Sequence, residues 1–335
     1  MKCVFLNLLA LLILAGAARC QTPKKAKIAT VFSAPPFDMG GLAMQFARDI
    51  EYGAHPLQRF DLFLPKGKKG PLPLVVFIHG GGFTGGDKGE IYKNPKRVED
   101  IKALLAAGIA YANLNYRLLR PGDQEGVRKC LNDSRYGLQF IRHHAAQWGL
   151  DKENIAGYGF SAGASTALWL GAHDDMKEPG HGDPVRREST RLKAVVARET
   201  QASLDLERWA TDVFADFPTM HLAEIVRIAG GPKVFGFYGL DDPLQFNSPP
   251  VRAYRADIDI PALMDAKDAP LWLENDNPAD LPAKRGELFH HPFHAKTVQL
   301  RADAVGLSSV ARIPGVPGMT TATQTHLQFL ISKFQ

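Results

Sequence analysis

From residue 57 onward the apolar positions alternate between two rhythms. The stretch "RFDLFLP" at 59–65 switches between apolar and polar side chains in the manner of a strand. "PLVVFIHGG" at 73–81 is a continuous apolar run closing on glycines, which predicts a strand buried on both faces. Residues 97–107, "RVEDIKALLAA", take helical spacing, and "GIAYANLNY" at 108–116 returns to strand. A helix at about 126–148, a strand at "NIAGYGF", a helix from Ser161 to about Leu170 and a strand at "LKAVVAR" continue the series. Strands separated by helical segments predict βαβ units, hence an α/β fold with a doubly wound, mostly parallel sheet.

The pattern blurs between about 203 and 268, where helix-like pieces alternate with proline-rich loops, as in an insertion or cap over the sheet. "APLWLE" at 269–274 resumes strand character. A helix at roughly 291–305, a strand near "SSVARI" and a final helix at 321–334 follow. Residues 21 to about 50 show no sustained period and read as an extended lead-in. With 335 residues and 45% hydrophobic content, the chain can bury one large core. The division expected is a segment 1–18, an extension 19–56 and one domain over 57–335.

That first segment is distinct. Lys2 precedes an apolar run from Val4 to Leu14 and then small residues from Ala15 to Ala18. The run is shorter than the roughly 20 residues that span a bilayer. It predicts an export signal cut after Ala17 or Ala18, and so a secreted or periplasmic protein with no integral membrane segment. Cys20 offers a rival, lipid attachment just after the signal, but Arg19 stands where that motif wants a small residue. Cys3 leaves with the signal and Cys130 lies deep in the mature chain, so no disulfide is expected. The formal charge of +5 is carried in short patches such as "PKKAK" and "PKGKKG", too sparse for a nucleic-acid footprint.

Candidate chemistry begins at "GFSAG", Gly159 to Gly163. Ser161 follows a predicted strand and opens a predicted helix, the strand-turn-helix setting of a nucleophile elbow. "HGGGF", His79 to Phe83, closes the earlier buried strand, and its three glycines leave backbone N–H groups unobstructed for an oxyanion.

The order "HGGGF", "NYRL" at Asn115 to Leu118, Asp133, "WGLD" at 148–151 and "GFSAGAS" resembles secreted α/β-hydrolases of the esterase/lipase class, nearest the hormone-sensitive-lipase-like and bacterial feruloyl-esterase-like branches. The resemblance covers roughly residues 57–175. It implies that Gly81, Gly82 and Ala162 supply oxyanion donors, that Arg117 and Asp133 form a structural ion pair, and that His79 shapes its loop. It also implies a catalytic acid after the strand that follows the cap, where "ENDNPADLP" offers Asp276 first and Asp280 second. The usual histidine site after the last strand is departed from: Met319 stands near it, and His326 falls inside the last predicted helix.

Another source of a base is "ELFHHPFH", since segments after parallel strands share the carboxyl edge with the elbow. His291, directly before Pro292 at a predicted helix start, is the first candidate, His290 the second, and His294 lies a turn further on. His173, Asp174, Asp175, His181 and Asp183 have no metal spacing, and no cofactor is called for. The leading expectation is a serine hydrolase acting on small-molecule or carbohydrate-linked carboxylic esters. The alternatives are a binding protein of the same fold with impaired chemistry, and a peptidase.

Overall fold

The computed structural model describes residues 27–335, so the segment 1–18 and Cys20 lie outside the described residues. Among the described residues nine strands form one sheet in the order β1-β2-β3-β5-β4-β6-β7-β8-β9. They are β1 (Phe32–Ser33), β2 (Met44–Glu51), β3 (Arg59–Pro65), β4 (Leu72–Ile78), β5 (Ala110–Leu114), β6 (Leu150–Phe160), β7 (Val195–Arg198), β8 (Leu271–Glu274) and β9 (Ser309–Arg312). From β5 to β9 every neighbouring pair is parallel, while β1, β2 and β3 add an antiparallel edge.

The pleat of β4 shows how the sheet is covered. Leu74, Val76 and Ile78 enter one apolar cluster, and Val75 and Phe77 enter another on the opposite face. A strand buried on both sides has no polar positions to alternate with, which is why its sequence runs continuously apolar. α1 (Pro95–Ala106) and α10 (His326–Ser332) supply the second cluster. α2 (Arg128–His144), α3 (Ala162–Ala172) and α9 (Pro292–Val305) supply the first.

Residues 203–268 do form an insertion between β7 and β8. It holds α4 (Leu206–Arg208), α5 (Leu222–Ala229), α6 (Pro249–Asp257) and α7 (Ile260–Leu263), joined by short 3-10 and π turns. Its Leu204, Trp209, Phe214, Ile225, Tyr238 and Ile260 pack into the first core cluster, so the cap is anchored by burial. Trp169 on α3 donates its indole N–H to the Asp257 carbonyl at 2.8 Å, and Arg255 meets Asp205 at 2.8 Å.

Two expectations need correction. The lead-in is partly sheet: β2 pairs with β3 over residues 44–51, so the domain starts before residue 57. Its period is hidden by a register shift between Ala47 and Ile50, with Asp49 at φ 55°. The last helix starts at His326, not at 321, because Thr320 bridges back to Arg312 and Thr325 caps the helix in a reciprocal box with Gln328. Short α8 (Arg285–Phe289) precedes α9. No helix among the described residues is long and apolar enough to cross a membrane.

Candidate active site

β6 ends at Phe160, and Ser161 turns the chain into α3 with φ 53° and ψ −123°. A non-glycine residue held there costs about 1–3 kcal/mol, so the surroundings must impose it. The flanking glycines explain how. A Cβ on Gly159 would fall 2.2 Å from the Gly163 carbonyl oxygen, and one on Gly163 would fall 2.0 Å from that of Ile78. Only bare backbone lets β4, β6 and α3 close this tightly.

The glycine loop lies against the same serine, since a Cβ on Gly80 would come within 3.2 Å of Ser161 Cβ. Gly81 at φ 110° turns its carbonyl to accept the N–H groups of Thr84 (3.1 Å) and Gly85 (3.0 Å). Gly82 follows at φ 59°, facing open space. Ala162 is the first residue of α3, so its N–H has no acceptor within the helix. His79 is spent on the loop: its Nδ1 lies 2.7 Å from the Gly80 oxygen and its ring stacks on Tyr116 at 4.4 Å. Burial holds its pKa below the ordinary histidine value.

Parallel pairing then fixes a row. Phe160 is in register with Arg198, and Arg198 with Glu274, so the next residues, Ser161, Glu199 and Asn275, stand side by side on the carboxyl edge. Above them sits His290, the residue that ends α8. Its Nε2 lies 2.8 Å from Ser161 Oγ, and its Nδ1 faces Glu199 Oε2 at 3.8 Å. The first is a hydrogen bond; the second is an electrostatic contact, of the length that catalytic pairs without substrate often show before tightening. Burial lowers the pKa of His290, and the Glu199 charge opposes it. Glu199 carries a second strained backbone, φ 51°, with its N–H on the Glu274 carbonyl at 2.8 Å.

The other predicted residues are placed elsewhere. His291, the first candidate base, is the N-cap of α9: Nδ1 accepts from the Phe293 N–H at 3.1 Å and Nε2 donates to the Asp280 carbonyl at 3.0 Å. Both ring nitrogens are occupied. His294 is buried between the Ala202 N–H and the Leu288 carbonyl, with its pKa pushed down to about 3 by burial. Asp276 is exposed and bonded to Arg312 at 2.5 Å, and Asp280 points to solvent, offering His291 only its main chain. Neither carboxylate meets His290. Arg117 grips buried Asp133 through Nε and Nη2 at 2.7–3.1 Å, as a structural pair would. His326 joins Asp100 at 3.2 Å on the α1/α10 face.

Glu199 was not anticipated. A signal existed in "VVARET", an acidic residue directly after a parallel strand next to the elbow strand, at the edge where α/β sites gather. Among the described residues no group of three or more His, Cys, Asp or Glu is disposed to hold a metal ion. A hydroxyl, an imidazole and a carboxylate brought together beside the backbone N–H groups of a glycine loop and a helix start suit acyl transfer.

Comparison with known proteins finds esterases among the similar chains. Residues 60–216 match the BD-FAE family model. A probable isoprenylcysteine alpha-carbonyl methylesterase of Arabidopsis thaliana is 34% identical over 149 residues, 44% of this chain and 29% of that protein. A counterpart from Oryza sativa subsp. japonica is 32% identical over 150 residues, 45% of this chain and 33% of that one. The match thus spans about a third of the length of these relatives. Among solved structures, a truncated carbohydrate esterase from gut microbiota superposes with a TM-score of 0.59 at 14% identity, covering 86% of this chain and 95% of that one. Esterase B from Lactobacillus rhamnosis gives 0.54 at 16%, covering 83% and 77%. At such identities the solved structures speak to the fold, that of the α/β-hydrolases.

Proposed function

We propose that this chain is an esterase of the α/β-hydrolase type and cleaves carboxylic esters through an acyl intermediate on Ser161. The observation that carries the reading is the 2.8 Å contact between Ser161 Oγ and His290 Nε2. His290 takes the serine proton as Oγ attacks the ester carbonyl, and the N–H groups of Gly81, Gly82 and Ala162 receive the oxyanion. The imidazolium then protonates the departing alkoxide, leaving the acyl group on Oγ. Water, activated by the neutral imidazole, attacks that acyl carbon, and collapse releases the carboxylic acid and restores the serine. Glu199 keeps the Nδ1 proton in place and balances the transient positive charge.

The substrate is a small or carbohydrate-linked carboxylic ester. The names of the relatives and neighbours span methyl esters and carbohydrate esters, so a hydrolysis screen of both classes narrows it. Export of the mature chain follows from the amino-terminal pattern, and amino-terminal sequencing of secreted protein is expected to begin at Ala18 or Arg19.

A fluorophosphonate, which phosphonylates only an activated serine, tests the core claim. Wild type is expected to be labelled at Ser161 at neutral pH and Ser161→Ala not at all; unlabelled wild type defeats the enzyme reading.

A further inference from the structure

His290 is the C-cap of short α8, on the long connection between β8 and α9. Its peptide is tied at every polar atom. The His290 N–H reaches the Gly286 carbonyl at 3.0 Å. Its own carbonyl accepts from two carboxamides at once, Asn275 Nδ2 and Asn277 Nδ2, both at 3.0 Å, which uses both lone pairs. The preceding carbonyl, that of Phe289, accepts from Gln201 Nε2 at 2.8 Å.

Each donor is itself anchored. Asn275 is fully buried; its N–H bonds the Arg312 carbonyl at 3.0 Å and its Oδ1 accepts the Asn277 N–H at 2.9 Å. Gln201 exchanges two 3.0 Å bonds with Ser165: Ser165 Oγ donates to Oε1 and accepts the Gln201 N–H. Ser165 in turn sends its N–H to the Ser161 carbonyl at 3.1 Å. A continuous path therefore runs from the backbone of Ser161, through Ser165 and Gln201, to the peptide that carries His290.

We propose that Asn275, Asn277 and Gln201 form a carboxamide cradle that holds the imidazole of His290 in line with Ser161, making all three positioning residues for the ester hydrolysis. The inference rests on the reading of His290 as the base. It gives the "ENDN" segment a task unlike the acid expected there: its amides hold the base from behind, while the acid comes from the neighbouring strand. A misplacement of about 1 Å between reacting groups costs about 100-fold in rate, so loosening this cradle acts on the chemical step and not on substrate binding.

The test replaces donors by acceptors of equal size. In Asn275→Asp and Asn277→Asp a carboxylate oxygen faces the His290 carbonyl. We expect kcat to fall about 100-fold and about 10-fold respectively, with KM little changed and fluorophosphonate labelling of Ser161 slowed by the same factors. Thermal unfolding is followed in parallel, and Asn277→Ala, at a partly exposed position, carries the same expectation as Asn277→Asp if the buried substitution does not fold. Unchanged kcat in the Asn277 variants, or a loss confined to KM, overturns the cradle while leaving the enzyme reading intact. Absence of labelling in wild type overturns the enzyme reading and the cradle with it.

Discussion

Two histidine–carboxylate pairs lie on either side of the same sheet edge. His326 meets Asp100 at 3.2 Å, with both side chains only 13–14% exposed; His290 meets Glu199 at 3.8 Å, with both about twice as open. By ion-pair geometry alone the first looks the better catalytic couple. Its Nε2, however, also lies 3.5 Å from the Tyr158 hydroxyl and its Nδ1 faces Glu274 at 3.8 Å, within a layer shared with Arg97 and Arg198. The looser pair faces Ser161. What distinguishes a base from a structural imidazole is a nitrogen left for the nucleophile, and a tight carboxylate partner is no substitute.

This contrast can be broken by exchanging losses. His290→Ala is expected to lower turnover by about 10⁶, as removal of a triad base does, without comparable loss of stability. His326→Ala is expected to leave turnover near wild type while costing about 2 kcal/mol of stability through the hydrogen bond lost by Asp100. Turnover assays and denaturant unfolding of both variants measure it, and equal turnover losses would erase the distinction.

Glu199→Gln comes next in size, with a fall in kcat of up to about 10⁴. The pH profile sharpens it. Burial lowers the His290 pKa, so the neutral imidazole persists, and kcat/KM holds, to pH values below the ordinary 6.5 or so, falling only as the ring protonates. The Glu199 charge raises that pKa, so removing it moves the acid limb to still lower pH. An acid limb that stays put or rises in Glu199→Gln speaks against this partner.

The smallest effect is at His291. His291→Ala removes the N-cap of α9 and the ring packed on Phe214 and Phe293, costing about 1 kcal/mol or more of stability. Its turnover stays close to wild type, which a melting curve and a rate measurement check together.

The sequence carried much of this architecture because its central strands are buried on both faces and its glycine motifs have few conformational alternatives. "GFSAG" and "HGGGF" are legible because a Cβ at Gly159, Gly163 or Gly81 has no room. The lead-in was not, since a bulge at Asp49 breaks the period of β2. The sequence narrows the proposed base to the segment 290–294, yet the choice between His290 and His291 depends on where α9 begins, and Pro292 fixes His291 as its cap. Glu199, the proposed acid, escapes this reading because it lies one strand from the expected loop, a matter of which β-strand ends beside the imidazole. Only sheet register decides that.

By the proposed mechanism His290 and Glu199 serve Ser161 as one unit. A double-mutant cycle on kcat with His290→Ala, Glu199→Gln and the pair tests it most directly. Glu199→Gln is expected to cost little or nothing once His290 is gone. Losses that multiply, with the double variant slower than His290→Ala by the full Glu199→Gln factor, would contradict it.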